Sequence, residues 1–168
     1  MPNLYIITGP AGVGKSTVSK LLAVRSKKSA LIEGDEIYHQ VVGGYIEAWK
    51  EGNHLDTFWK VCAASIKTYL NDGYDVVFNY IVTPNYLELL KTVFSSFNPK
   101  FTVLLVDEQT LLKRDSERPE DCRMNERCIV LLNNFKNHHY SEKYILDTSN
   151  LSAEETAEAI ENEDRFIL

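Results

Sequence analysis

The chain has 168 residues, which is enough for one domain with a substantial buried core. Its 44% hydrophobic and 25% charged content is ordinary for a globular protein and excludes fibrous and disordered classes. The net charge of −6 repels polyphosphate chains over long range, so we expect no nucleic-acid partner.

The cysteines and the N-terminal residues bear on where the protein functions. Cys62, Cys122 and Cys128 form no CxxC pair, and an odd count without a secretory signal is typical of a reduced cytoplasmic protein. No apolar run approaches the length of about 18 residues that would cross a bilayer. We therefore expect a cytoplasmic protein without membrane partners, either a monomer or a homodimer.

Short apolar runs alternate with longer helical stretches. The runs cover residues 4–7, 29–32, 75–78, 101–106 and 144–146. Between them, apolar residues recur at intervals of three and four over 58–70 and 86–97, Thr83-Pro84 is typical of a helix start, and Ser152 with Glu155 has capping-box spacing. This alternation predicts one α/β domain over residues 1–168, with a parallel sheet covered by helices on both faces.

The first apolar run leads into a phosphate-binding motif. Gly9-Pro10-Ala11-Gly12-Val13-Gly14-Lys15-Ser16 matches G-x-x-x-x-G-K-[ST] in full. Small residues let backbone N–H groups turn toward phosphate oxygens, Lys15 reaches the β- and γ-phosphates, and the Ser16 hydroxyl can bind Mg²⁺. The alternative is a glycine-rich turn that only joins a strand to a helix. We expect ATP to be bound by Gly9, Ala11, Gly12, Val13, Gly14, Lys15, Ser16 and Thr17.

A carboxylate follows the second run. Glu33-Gly34-Asp35 would lie beyond the carboxyl end of its strand, where parallel α/β sheets bind ligands. Asp35 there could orient and deprotonate an acceptor hydroxyl and help to hold magnesium, and Glu33 could assist. The alternative, compatible with the first, is that Asp35 caps a helix over 36–42.

The phosphate loop and the Glu33-Gly34-Asp35 segment together resemble small-molecule P-loop kinases. The order strand, phosphate loop, helix, strand, acidic-Gly-Asp is similar to gluconate kinase, and shikimate kinase and chloramphenicol phosphotransferase have a similar layout. The resemblance implies a P-loop NTPase fold whose five parallel strands run in the order 2-3-1-4-5. It also implies ATP-dependent phosphorylation of a small hydroxyl compound.

The segment between the second and third strands is where such kinases hold the acceptor. We expect an acceptor lobe over about 36–72, with Tyr38, one helical turn after Asp35, among the substrate residues. Tyr45, Trp49 and Trp59 also lie there, although a helical core is the more ordinary reading for both tryptophans. The third run, 75–78, is followed by Asn79, which can hydrogen-bond an acceptor hydroxyl or a magnesium-bound water.

Several arginines follow the fourth run and predict a small lid over about 114–127. In the kinases that this chain resembles, a first arginine packs on the adenine and a second closes over the phosphates, which implies those roles for Arg114 and Arg118. The alternative is a solvated helix face where these arginines pair with Glu117 or Asp121. Arg123 and Arg127 are weaker candidates for the same role.

These residues favour an ATP-dependent phosphotransferase that acts on a small-molecule hydroxyl, such as that of a sugar acid or an antibiotic. Lys15, Asp35 and Arg118 are the expected catalytic residues, and ATP and Mg²⁺ are the expected cofactors. A nucleoside or nucleotide kinase is less well supported, because residues 36–97 contain no arginine to hold a monophosphate. A nucleotide-binding regulatory module and a polynucleotide kinase are further alternatives.

Overall fold

A computed structural model describes residues 1–50, 52–120 and 123–168. It shows one five-stranded parallel sheet with the order β2-β3-β1-β4-β5, as expected. Parallel pairing joins all neighbouring strands. The strands are β1 (Leu4–Thr8), β2 (Ser29–Glu33), β3 (Asp75–Asn79), β4 (Lys100–Leu105) and β5 (Ile145–Asp147).

The helices connect these strands in alternation. They are α1 (Lys15–Arg25), α2 (Gly34–Tyr38), α3 (His54–Asn71), α4 (Pro84–Phe94), α5 (Glu108–Ser116), α6 (Glu126–Lys136) and α7 (Ala153–Asn162). Thr83 and Pro84 begin α4 as predicted, and Ser152 and Glu155 form both bonds of the capping box at α7. The predicted helix over 86–97 ends earlier, at Phe94, and passes into one 3₁₀ turn.

The helix predicted over 36–42 is wrong in its bounds. α2 starts directly after β2 at Gly34 and ends at Tyr38, so Asp35 lies in its first turn and does not cap it. The residue at the cap is Glu33, which makes no side-chain capping bond. Val41 and Val42, followed by two glycines, have low helix propensity, which explains the early end.

The sheet separates two cores because side chains alternate between its faces along each strand. On β1, Leu4 and Ile6 join the core formed with α3 and α4, whereas Tyr5 and Ile7 join the core formed with α1, α5 and α7. Both cores are closely filled, and the sheet therefore holds the ends of its strands in fixed positions.

Strand order determines where a ligand can bind. β1 and β4 are neighbours, but the chain runs from β1 to β2 at one edge of the sheet and from β4 to β5 at the other edge. A crevice opens at such a switch point, beyond the carboxyl ends of the strands. The phosphate loop after β1, Asp35 after β2 and Asn79 at the end of β3 all lie at this edge.

No helix in the described part of the chain is both long enough and apolar enough to span a membrane.

Candidate active site

A cleft of about 570 Å³ lies at the carboxyl edge of the sheet. Its walls include every residue from Ala11 to Val18, together with Asp35, Asn79, Arg114 and Arg118. The connection between β5 and α7 forms another wall, which includes Thr148 and Leu151. The fold therefore brings the residues predicted for phosphate binding, catalysis and acceptor contact into one cleft, except for Gly9 at its base and Tyr38.

Gly9 allows the phosphate loop to leave β1 at a sharp angle. Its φ of 146° lies in the region that side chains disfavour, and a Cβ there would collide with the backbone oxygen of Leu104. The loop then leads through Gly14, also at positive φ, into α1. The N–H groups at the start of α1 are therefore available to an anion at the cleft.

Lys15 is held by the phosphate loop itself. Its Nζ donates hydrogen bonds to the carbonyl oxygens of Gly9 and Pro10, each at 2.9 Å. Burial lowers the pKa of Lys15 to about 8; the nearby Asp35 carboxylate acts in the opposite direction, and Arg118 lowers the pKa further. These influences show that Lys15, Asp35 and Arg118 share one electrostatic environment.

Close packing under α2 fixes the position of Asp35. Gly34 lies against the ring of Tyr80, and a Cβ at this position would come within 2.5 Å of the ring atom Cδ2. Only glycine can occupy this position without moving the helix or the tyrosine. Asp35 itself is exposed on the cleft side, where its carboxylate can meet a substrate hydroxyl.

Asn79 and Glu33 form a pair at the ends of adjacent strands. The two residues are partners in the β2–β3 register, and Asn79 Nδ2 donates to Glu33 Oε1 at 3.3 Å. Asn79 is only 4% exposed, so its amide orientation is set by this bond and by the surrounding strands. The amide therefore fixes one oxygen of Glu33, while Asn79 itself borders the cleft.

Arg114 ties the phosphate loop to the β5–α7 connection. Its Nη1 donates to Val13 O at 3.1 Å and to Thr148 Oγ1 at 3.2 Å, and its Nη2 donates to Thr148 O at 2.9 Å and to Leu151 O at 3.5 Å. The alternative of a solvated helix face does not hold for Arg114, which is part-buried and bonds to backbone and Thr148. The guanidinium joins two walls of the cleft.

Arg118 pairs with a buried carboxylate that the sequence analysis did not select. Arg118 Nη1 donates to Asp115 Oδ1 at 3.2 Å, and Asp115 is only 2% exposed. Asp115 also accepts hydrogen bonds from the N–H groups of Met124 and Asn125, at 2.9 Å and 2.8 Å to Oδ2. One carboxylate thus connects α5, Arg118 and the start of α6.

The ionised form of Asp115 is favoured. Desolvation raises its pKa, but the N–H donors of Asn125 and Met124 and the Arg118 guanidinium outweigh that effect, so the net pKa lies below the ordinary value. A sequence signal was present: Asp115 follows Leu111 by four residues, and both are on the buried face of α5. A buried carboxylate at that position requires partners.

Tyr38 does not border the phosphate cleft. It is buried, its hydroxyl donates to Ile46 O at 2.5 Å, and its ring belongs to a second cavity inside the acceptor lobe. Trp59 is in the core as expected. Trp49 is 74% exposed, so the core interpretation is wrong for it, and its ring lies 5.9 Å from the Arg127 guanidinium carbon.

Residues that could bind magnesium face the cleft. Ser16 and Asp35 offer the hard oxygen atoms that Mg²⁺ prefers, and both are exposed to the cleft. Among residues 1–50, 52–120 and 123–168, no cluster of three or more His, Cys, Asp or Glu could hold a metal. Magnesium in kinases is usually bound by one or two protein groups together with substrate phosphates, and the donors here fit that arrangement.

Two residues of the expected lid, Asp121 and Cys122, lie outside the described residues, and so does the alternative pairing of the arginines with Asp121. Arg123 Nε donates to Arg118 O at 2.8 Å, which gives Arg123 a local role beside Arg118.

The five-stranded parallel sheet and the phosphate loop form a fold that is similar to solved structures of P-loop kinases. The tunicamycin resistance protein of Deinococcus radiodurans is similar, with a TM-score of 0.66 and 16% identity over 95% of this chain and 94% of that one. A gluconokinase from Sinorhizobium meliloti gives 0.63 and 19%, over 95% and 89% of the two chains. The Mycobacterium tuberculosis APS kinase in complex with AMPPNP and APS gives 0.66 and 15%, over 96% and 98%.

Because the sequence identity is below one fifth in all three comparisons, these likenesses show the fold alone. No family model and no curated protein sequence matches the chain.

Proposed function

We propose that this protein is an ATP-dependent kinase that phosphorylates a hydroxyl group of a small molecule. The observation that carries the proposal is the shared cleft of Lys15, Asp35 and Arg118. A phosphate-binding loop alone occurs in many nucleotide-binding proteins. A carboxylate exposed opposite that loop adds the group that a hydroxyl acceptor needs.

In the proposed reaction, the acceptor oxygen attacks the γ-phosphorus of ATP. The bond from that phosphorus to the bridging oxygen breaks and leaves ADP, while the hydroxyl proton passes to Asp35. Lys15 and Arg118 balance the negative charge on the transferred group, and both border the cleft. A magnesium ion, held by Ser16 and Asp35, would neutralise phosphate charge.

The nucleotide is proposed to lie between the phosphate loop and the β5–α7 connection. Arg114 already joins Val13 to Thr148 across this space, so both walls keep their spacing without a ligand. Thr148 is further fixed because its N–H donates to Leu105 O at 2.8 Å. A preformed cleft of this kind reduces the ordering cost of nucleotide binding.

The acceptor lobe (about 36–72) and the lid (about 114–127) remain parts of this proposal. The exposed Trp49 ring and the Arg127 side chain approach each other between these two segments. This contact supports a lid that lies next to the acceptor lobe, as an enclosed transfer reaction requires.

The test is ADP release from Mg·ATP across a panel of acceptors. The panel contains sugar acids, shikimate, hydroxyl-bearing antibiotics, other uncharged alcohols, nucleosides and nucleoside monophosphates. The Lys15→Ala protein serves as the blank, and Lys20→Ala, on the exposed face of the same helix, serves as the matched control.

We expect one acceptor class to stimulate ADP release in the wild type and in Lys20→Ala but not in Lys15→Ala. Stimulation by a nucleoside monophosphate would favour a nucleotide kinase. Tight ATP binding with no transfer to any acceptor would overturn the kinase proposal and favour a regulatory nucleotide-binding protein.

A further inference from the structure

The acceptor lobe contains a second cavity of about 160 Å³, separate from the phosphate cleft. It lies between α2, the connection that follows it and the first turns of α3. Its walls include Ile37, Tyr38, Tyr45, His54, Phe58 and Val61. None of the described wall residues of this cavity borders the phosphate cleft.

The lobe cavity is apolar and without charge. Its described walls contain no Lys, Arg, Asp or Glu side chain. Tyr38 presents its ring because its hydroxyl is already bonded to Ile46 O. The rings of Phe58 and Tyr45 meet that ring edge-on, with centroids at 5.4 Å and 5.7 Å. Such walls favour an aromatic or branched apolar group and disfavour an anion.

The volume of the cavity sets the size of its ligand. An apolar cavity of about 150 Å³ can accept a benzene-sized molecule. The lobe cavity is of this size, and it therefore suits one ring or a compact branched chain.

Three polar side chains, Gln40, His54 and Thr57, also belong to the described wall of the cavity. Both ring nitrogens of His54 have almost no accessible surface, so the imidazole contributes to the wall without offering a hydrogen bond to a ligand.

Helix α2 connects the lobe cavity to the proposed catalytic carboxylate. Asp35 lies in its first turn and Tyr38 at its end, three residues later. At 1.5 Å of rise per residue, the two positions differ by roughly 5 Å along the helix axis.

We propose that the lobe cavity binds an uncharged ring-sized apolar group. The ligand's role as phosphoryl acceptor rests on the proposed kinase function, but the binding itself does not. The inference separates this protein from kinases of sugar acids and monophosphates. The anionic groups of such substrates would find no cation in the described walls of this cavity.

The test uses three small molecules that share one phenyl ring. 2-Phenylethanol has the ring and a hydroxyl arm, 2-(4-hydroxyphenyl)ethanol adds a ring hydroxyl, and phenylacetate has a carboxylate. Binding is measured by calorimetry and ligand-observed NMR on the Lys15→Ala protein without ATP, so that no turnover interferes. For ligands of this size we expect a Kd of about 1 mM or tighter for the first two.

Charged substitutions in the wall should abolish this binding. Val61 is 40% exposed on α3 and Val41 is 49% exposed after α2, so Val61→Glu and Val41→Glu are tolerable for the fold. Each should weaken 2-phenylethanol binding at least about tenfold, because the added carboxylate must be desolvated. Val24→Glu, at a 77% exposed valine on α1, is the matched control and should bind normally.

The proposal is overturned if the wild type binds neither alcohol, if phenylacetate binds equally well, or if Val61→Glu and Val41→Glu change nothing.

ADP release separates this inference from the proposed function. Transfer only to an anionic acceptor, unaffected by Val61→Glu, would overturn the assignment of the cavity as the acceptor site and leave the kinase proposal standing. Cavity binding as described, with no transfer to any alcohol or other acceptor, would support the cavity assignment and overturn the kinase proposal.

Discussion

The phosphate cleft and the acceptor lobe meet at helix α2 but are built differently. The cleft is lined by loop backbone and by Lys15, Asp35, Arg114 and Arg118, whereas the lobe cavity is lined mainly by aromatic and aliphatic side chains. The first arrangement suits a polyphosphate of fixed geometry, and the second could change its ligand through substitution of a few side chains. The difference teaches that the donor nucleotide can be inferred from a motif, while the acceptor must be inferred from packing.

The largest effect is expected for Asp35, which lies in the first turn of α2 and borders the cleft. Asp35→Asn should lower the turnover number by about 10²–10⁴-fold, because the amide cannot accept the hydroxyl proton. The dissociation constant for ATP should change little, since the phosphate loop is untouched. Steady-state kinetics with the best acceptor, together with calorimetry for ATP, would measure both quantities.

Glu36→Gln is the matched control for this variant, because Glu36 is the exposed neighbour in the same helical turn. Full activity in Asp35→Asn would show that the Asp35 carboxylate is not the base.

The next largest effect is expected for Arg118, which also borders the cleft. Arg118→Ala should lower the turnover number by about 10²–10³-fold, through loss of a charge-assisted donor to the transferred group. Lys113→Ala removes an exposed cation from the last turn of α5, a few residues before Arg118, and should be neutral. Equal losses of activity in the two variants would mean that Arg118 acts only through general surface charge.

Asp115 is expected to affect the stability of the folded protein. Asp115→Asn should lower the free energy of unfolding by about 1–3 kcal/mol, because the charge-assisted bonds from Arg118, Met124 and Asn125 are weakened. Urea unfolding measures this change, and Asp107→Asn, at an exposed carboxylate that caps α5, gives a comparison.

The sign of the pH dependence follows from the lowered pKa of Asp115. A carboxylate whose pKa is lower in the folded than in the unfolded chain stabilises the protein above its unfolded pKa. That contribution is lost as the pH falls through the folded pKa. The wild type should therefore lose more stability on acidification than Asp115→Asn, and parallel pH profiles would contradict the assignment.

The smallest effect is expected for Arg114, which bonds to two walls of the cleft and so holds their spacing. Arg114→Lys keeps the charge but cannot bond to Val13 and Thr148 in the same fork geometry. The dissociation constant for ATP should rise about tenfold, which corresponds to about 1.4 kcal/mol. Arg25→Lys, at a partly exposed ion pair with Glu161 on the far side of α1, should leave ATP binding unchanged.

The sequence predicted the parts of the molecule that depend on local chemistry. The phosphate loop follows β1 as expected, and the 2-3-1-4-5 order agrees with the resemblance to P-loop kinases. Strand ends were less predictable. β2 and β3 extend to Glu33 and Asn79, polar residues that pair in register at the cleft, and apolar runs do not mark such ends.

Long-range contacts explain what the sequence did not predict. Asp115 acquires its partners from Met124 and Asn125, across a segment whose fold is not evident from periodicity. Tyr38 follows Asp35 by one helical turn, yet its ring turns into the lobe, where Phe58 and Tyr45 surround it. Neither arrangement could be read from spacing, because both depend on how the helices pack on the sheet.

The burial of Lys15 implies that nucleotide binding takes up protons. Burial lowers the pKa of Lys15 to about 8, so part of the population is neutral at that pH. Phosphate oxygens favour the charged ammonium, so its pKa rises in the complex. ATP binding near pH 8 should then be accompanied by proton uptake. Calorimetric heats should consequently differ between buffers of unlike ionisation enthalpy, and Lys15→Met should abolish that difference.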